Sequence, residues 1–579
     1  MIRRFAAGFA ALALITACSQ PSTKETAKPD LLQTNLDTAV KPNEDFFEYA
    51  NGGWLKKNPI PADETSWGIG ELVQKELYVR LRKINDDALA KSDKTGSGQR
   101  IGDFWFSAMD TTAIEQNGIT PLQSELDAIA AMKTKEDVMV QAVRMHTYGS
   151  AVLFDEGVSQ DPKHSDVQAF MLSQGGLGMP NRDYYFNTDA RTSKVRSLYP
   201  GYIAAVFRLI GTDSVQAAKK AAGILAFETK LAASSRKLED LRDPYTNYNK
   251  FAISNLGSLS PGIDWAGSLA RMGVKHIDSV IVGQPEFFKT LGQLVSSADI
   301  QTIKDYMVFH LVATYSEYLS KPFAEARFNF YSKTIRGAQE QHPRWRRALD
   351  AEEGAIGEEL GKLFVKEYFD TVAKSRYSQL VENVRNAYKA RIEKLTWMCD
   401  STRQKAIHKL MSISKKVGYP EHWKDFSALK IDRGPLALNM MRANQWWVNH
   451  NLEKLGKPVD RTEWDMTPQT YNAYYNQSNN EIVLPAAMMT VPGFRDAELD
   501  DALVYGYAAA STVGHEITHG FDSTGFLLDS KGVKREWMSH ASRAAFEEKA
   551  VCFKQQYSKA QVSLSDGRVL RVNGRQTLP

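Results

Sequence analysis

Long runs of apolar residues at three-and-four spacing set the strongest limit on how this 579-residue chain can fold. Residues 71–92, 120–146, 212–238 and 350–395 carry such runs among Lys, Glu, Gln and Ala, the pattern of helices with one buried face. Gly or Pro marks the stops, as at Gly149-Ser150, Gly211-Thr212 and Gly418-Tyr419-Pro420. Residues 255–262 read as a Ser- and Gly-rich loop, and 264–280 as a shorter, less regular unit. No repeat of fixed period is visible. A mainly α fold is expected, built from roughly three or four domain-sized units or one large helical body that merges them. Eleven Trp, 26 Phe and 23 Tyr supply large core groups, which excludes wholesale disorder. The 72 basic and 68 acidic residues nearly balance, so nothing in the charge points to nucleic acid. Three cysteines exclude a disulfide scaffold and a cysteine-rich metal array. Cys399 and Cys552 either bond to each other or remain two separate buried thiols.

The start of the chain has the form of an export signal. Arg3 and Arg4 precede an apolar stretch over residues 5–17, shorter than a bilayer crossing. The sequence Leu14-Ile15-Thr16-Ala17-Cys18 is similar to a bacterial lipoprotein processing site, in which Cys18 becomes the acylated first residue. A plain secretory signal cleaved after Ala17 is the alternative. Residues 18–42, rich in Ser, Thr, Lys, Pro and Asp, read as a flexible tether. No later segment approaches the ~20 apolar residues of a spanning helix. The expected location is the periplasmic side of a bacterial cell envelope, with a soluble body held to a membrane by its lipid anchor.

After about residue 460 the texture changes. Thr470-Tyr471-Asn472-Ala473-Tyr474-Tyr475 and Glu481-Ile482-Val483-Leu484-Pro485 flank an Asn-rich turn and predict a strand pair, with Pro485 ending its strand or lying on an edge. Residues 502–522 revert to helix, broken after Gly520. Within it stands Val513-Gly514-His515-Glu516-Ile517-Thr518-His519-Gly520-Phe521-Asp522. Two His four apart share one helical face, so both imidazoles can meet one tetrahedral Zn²⁺ and leave positions for a third ligand and water. Glu516 lies beside the first ligand, placed to take a proton from that water and pass it to a leaving amine. Ala508, Ala509, Ala510 and Gly514 allow close packing, and Val513 with Ile517 makes an apolar ridge. Two imidazoles and a carboxylate buried in that setting require a compensating ion or partners.

The chain resembles the neprilysin-like zinc metallopeptidases, which include endothelin-converting enzyme and bacterial oligopeptidases. The resemblance runs over residues 42–578. It is carried by Asp45-Phe46-Phe47, Tyr49-Ala50-Asn51-Gly52, Leu177-Gly178-Met179-Pro180-Asn181-Arg182-Asp183-Tyr184-Tyr185, Pro343-Arg344-Trp345, Gly418-Tyr419-Pro420, Asn472-Ala473-Tyr474-Tyr475, Pro485-Ala486-Ala487, the His-Glu motif and Val572-Asn573-Gly574. It implies a mainly α, two-lobed enzyme enclosing a central chamber that admits small unstructured peptides, with a small mixed sheet beside the metal-binding helix. Residues 43–460 would form the helical N-terminal region with the chamber-forming lobe, and 461–579 the catalytic region. The resemblance further implies a zinc-dependent metalloendopeptidase holding one Zn²⁺ through His515 and His519. Glu516 would be general base toward zinc-bound water, and Asn472 and Ala473 would hold the substrate backbone on an edge strand. Asp522 is retained although Ser523-Thr524-Gly525 stands where the family usually has Asp-Gln-Gly, and it either orients an imidazole or is a simple helix-end carboxylate. The family's third ligand is a glutamate after Thr-Leu-Gly, whereas here Leu578 is followed by Pro579 and the sequence stops. The third ligand is then absent from this chain, and little activity is expected of it as written, with a catalytically dead peptide-binding envelope lipoprotein as the alternative. His540, Asp529, Glu536 and Glu547 have no spacing that would replace that glutamate, and His408, His422 and His450 read as structural or surface residues.

Overall fold

A computed structural model describes residues 31–576 except 244–245, 564–566 and 568. The export signal, Cys18 and the final Thr577-Leu578-Pro579 lie outside the described residues. Among the described residues, no helix is long and apolar enough to cross a membrane.

The chain divides into two compact units, Met1–Pro61 and Ala62–Pro579. In the first, the helix Phe46–Lys57 begins where the Asp45 carboxylate accepts the Glu48 N–H at 2.9 Å.

In the second unit the expected helical runs form, with breaks where caps intervene. The helix Ile69–Lys91 buries Val73, Leu77, Leu81, Ile84 and Ala88, a stripe at three-and-four spacing. The 120–146 run divides at Thr134, whose side chain and Asp137 cap each other's backbone N–H groups and start the helix Lys135–Thr147. The 350–395 run divides at Asp370, whose carboxylate caps Thr371–Glu393 after Arg344–Tyr368 has ended. The expected loop at 255–262 contains a one-turn helix, Leu256–Leu259. One continuous apolar core runs through this unit from Val73 to Trp537.

Among the described residues, three small sheets accompany the helices. Strands β1 (Phe154–Asp161), β2 (His164–Gln174), β3 (Asn249–Ala252) and β4 (Ser279–Val282) form a sheet in the order β1-β2-β4-β3, with β2 and β4 parallel. Strands β5 (Ser414–Gly418), β6 (Tyr474–Asn476) and β7 (Glu481–Pro485) form a mixed sheet in the order β5-β7-β6. Strands β8 (Gln561–Ser563) and β9 (Val569–Arg571) form an antiparallel pair.

The mixed sheet positions the site. Its central strand β7 is buried along its whole length, parallel to β5 and antiparallel to β6. Pro485 therefore ends a central strand, opposite Gly418, and is not on an edge. Gly418 has φ +84°, and a Cβ there would lie 2.5 Å from the Phe369 ring, so both backbone and space demand glycine. The turn between β6 and β7 closes with Asn480 in the left-handed region at φ +50°, where Asn is better tolerated than most residues.

Candidate active site

The motif helix is short, spanning Gly514–Thr518 with His519 as its C-cap, and a π-helical stretch, Tyr505–Val513, leads into it. The helix expected over 502–522 thus ends earlier, in a tightening turn: Gly520 N–H donates to Ile517 C=O at 3.1 Å and Phe521 N–H to Thr518 C=O at 2.8 Å. Val513 and Ile517 are fully buried, as the ridge predicts, and Ala508 is buried with them. The side chains of Ala509 and Ala510 lie outside those described.

His515 and His519 converge. Their Nε2 atoms are 3.1 Å apart and their rings stand nearly perpendicular at 86°. Two ligands on one tetrahedral zinc, each at about 2.0–2.1 Å, would be roughly 3.3 Å apart, so the pair fits a shared ion closely. The Nδ1 of His519 lies 2.7 Å from Asp522 Oδ2, an arrangement that fixes the tautomer and leaves Nε2 for a metal. That bond raises the His519 pKa against the opposing effect of burial, with the Asp522 and Glu516 charges adding to the rise.

Burial is uneven across the motif. The imidazoles do not sink into the core: His515 is exposed and His519 half-buried, while Glu516 is 6% exposed. Burial pushes the Glu516 pKa up, and the two His charges with a backbone N–H from Tyr475 pull the other way. A carboxylate raised in this manner is a better proton acceptor than a free one.

Asp522 has its own support. Its Oδ1 accepts N–H groups from Thr524 at 2.9 Å and Gly525 at 2.6 Å. Gly525 passes so close to the motif helix that a Cβ would lie 1.8 Å from the His519 carbonyl oxygen. The Asp522 carboxylate is thus held between two backbone N–H groups and the His519 ring, with Ser523-Thr524-Gly525 forming the turn around it.

Strand β6 packs beside the motif helix at the edge of its sheet. Asn472 and Ala473 immediately precede β6, just outside the paired residues, and the Asn472 N–H donates to the Thr470 carbonyl at 3.0 Å. Asn472 is exposed, with its Oδ1 accepting the Ala473 N–H at 2.9 Å, and Ala473 is buried. Tyr475 joins the sheet to the turn by donating to Asn480 Oδ1 at 2.5 Å.

The other His candidates stand apart from this site. His450 pairs with Glu463 at 3.1 Å, and His540 begins the helix His540–Lys559 after its Ser539 N-cap. Cys399 and Cys552 are free and exposed, so the reading of two buried thiols is corrected. A further grouping, which the sequence did not reveal, gathers Asp63, Glu64 and His342 with potential ligand atoms within 4.8 Å of one another. Arg346 already lies 3.4 Å from Asp63 and 2.8 Å from Glu64. Those carboxylates form an ion-pair network and lack the His pair that suits zinc. Spacing likewise does not single out Lys409, buried on the helix Asp400–Met411.

The profile of peptidase family M13 matches residues 42–420 and 472–579. Neprilysin-3 of Drosophila melanogaster is 31% identical over 95% of this chain and 72% of its own length. Endothelin-converting enzyme 1 of Rattus norvegicus is 29% identical over 94% of this chain and 72% of its own length. The inhibitor-bound zinc metalloprotease ZMP1 of Mycobacterium tuberculosis superposes with a TM-score of 0.89 at 33% identity, over 94% of this chain and 83% of that one. PEPO of Lactobacillus rhamnosis shares the fold, with a TM-score of 0.83 at 22% identity over 93% of this chain and 84% of that one. With its mainly helical body, small mixed sheets and converging His pair, this chain belongs to peptidase family M13 and is a zinc-dependent metalloendopeptidase.

Proposed function

We propose that His515 and His519 hold the zinc, that Glu516 is the general base, and that Asp522 fixes the His519 tautomer. The observation that carries this is the 3.1 Å approach of the two Nε2 atoms with the Asp522 carboxylate behind one ring. Zinc, when bound, supplies Lewis acidity to the scissile carbonyl and to the attacking water. Glu516 takes a proton from that water and delivers it to the departing amine. Asn472 and Ala473 hold the substrate backbone at the entrance to β6, where an edge strand leaves main-chain groups open to an extended peptide. The substrates are small unstructured peptides, whose backbones are free to adopt that conformation. Residues 461–579 carry the chemistry and 43–460 the helical region around it. Acylation of Cys18 holds the protein to a membrane on the periplasmic side of the envelope; the mass of the mature N-terminal peptide tests this directly.

The mechanism is tested by incubating the zinc-loaded full-length protein with an unstructured peptide and comparing Glu516→Gln. Cleavage of internal bonds that stops on chelation is the outcome this mechanism requires, and it would overturn the sequence-based expectation of little activity. The variant should keep its zinc and lose about 10²–10⁴-fold in kcat. Unimpaired turnover by Glu516→Gln would refute the assignment, and peptide binding without cleavage by the wild type would favour a binding protein.

A further inference from the structure

Lys409 lies on the helix Asp400–Met411, in a run whose charged residues would ordinarily face water, yet it is 1% exposed. Its ammonium donates to the Gly525 carbonyl at 2.6 Å and the Leu528 carbonyl at 2.7 Å. These oxygens belong to the turn that follows Asp522, and the same Gly525 gives its N–H to Asp522 Oδ1. One peptide segment is thus held on one side by Lys409 and on the other by the carboxylate that aims at His519. The Phe521 and Trp537 rings flank the ammonium, each centroid 5.8 Å away. The Lys409 backbone also takes part: its carbonyl accepts from Asn480 Nδ2 at 3.1 Å, and Asn480 in turn receives the Tyr475 hydroxyl. Tyr475 supplies the backbone N–H that faces Glu516. The residue therefore touches both supports of the His515-Glu516-His519 group while being bonded to none of its three side chains.

We infer that Lys409 is a positioning residue for the metal centre, setting through Gly525 and Asp522 the orientation in which His519 meets the ion. This inference rests on the reading of His515 and His519 as zinc ligands. A buried cation needs strong compensation. Burial pushes the Lys409 pKa down to about 7 while Asp522 and Asp529 draw it up. Holding an ammonium here, where a methionine would fill the space without desolvation, suits a group whose task is to fix two carbonyls in place. Groups behind a metal ligand commonly change affinity by about 10–100-fold when removed, and Lys409 stands one link further back.

The test uses the full-length protein with Co²⁺ in place of zinc, reading the visible absorption of the ion and its dissociation constant by chelator competition. Lys409→Met should shift the spectrum and weaken Co²⁺ binding about tenfold, and Asp522→Asn should do at least as much. The double variant should add little to Asp522→Asn, because both act along one path. Lys409→Gln, which keeps an N–H donor, should give an intermediate loss with a higher Tm than Lys409→Met, so the comparison survives if Lys409→Met folds poorly. Arg100→Met, which breaks the buried Arg100–Glu359 pair at 2.6 Å, is the control for general destabilisation. An unchanged spectrum in both Lys409 variants, fully additive losses, or an equal shift in Arg100→Met would overturn the inference. Failure of the wild type to bind Co²⁺ through His515 and His519 would instead remove the ligand assignment beneath it.

Discussion

At Glu352 a carboxyl group is wholly out of water, with only the Asn85 side chain, among the described residues, near enough to offer it a weak hydrogen bond. Burial raises its pKa well above the ordinary value; Asn85 opposes this and Glu353 adds to it. The folded protein therefore keeps a proton that the unfolded chain releases, so stability falls as pH rises above the ordinary glutamate range. The slope for one such group is about 1.4 kcal/mol per pH unit until the folded pKa is reached. Glu352→Gln should flatten that slope, raising stability near pH 8 and leaving it unchanged near pH 4 in denaturant titrations across that range. A second expectation concerns Asn472. Loss of one or two substrate hydrogen bonds in Asn472→Ala should lower kcat/KM about tenfold, about 1.4 kcal/mol, with Co²⁺ binding unchanged. Residues of these two kinds differ in how far the sequence reveals them. His515, Glu516 and His519 are readable because helical period alone brings them together. Lys409 is not, because its carbonyl partners are 116 and 119 residues away and a lysine in an amphipathic run reads as solvated. The uneven burial of the motif was also hidden, since helical period says which residues share a face and not whether that face meets water.

Among the elements, the long helices follow their apolar periodicity closely, and their breaks fall at Thr134 and Asp370, whose capping side chains were present to be read. The mixed sheet was half legible. Aromatic and β-branched residues announce β6 and β7, but Ser-Lys-Lys-Val-Gly has a single large apolar residue, and β5 becomes a strand only through its pairing with the distant β7. β6 is also shorter than the aromatic run suggests, because Asn472 turns its side chain onto the Ala473 N–H instead of extending the ladder. The glycine at the end of β5 makes an expectation at this scale. Gly418→Ala forces a methyl onto Phe369 and strains a left-handed backbone, so it should cost about 1–3 kcal/mol. A lower Tm with an unchanged Co²⁺ spectrum would bear this out.

For the whole molecule, ion binding and folding are coupled. An ion that binds the native His pair and not the unfolded chain should stabilise by about 2.7 kcal/mol at a free concentration of 100 times Kd. Chelation should therefore lower Tm in the wild type and have no effect in a His515→Ala, His519→Ala double variant, as calorimetry with and without chelator would register. A likeness spread over both matched stretches, 42–420 and 472–579, fits this coupling, since the helical region supplies Lys409 and the later one the motif it steadies. Strand β6 has only three paired residues and an open flank. On the proposed reading, a guest laid along it can be gripped through a few amides at a time, and those amides are alike for every amino acid except proline. Such a grip discriminates poorly among sequences but senses the absence of one N–H, so a proline at a gripped position should be skipped while its neighbours are cut.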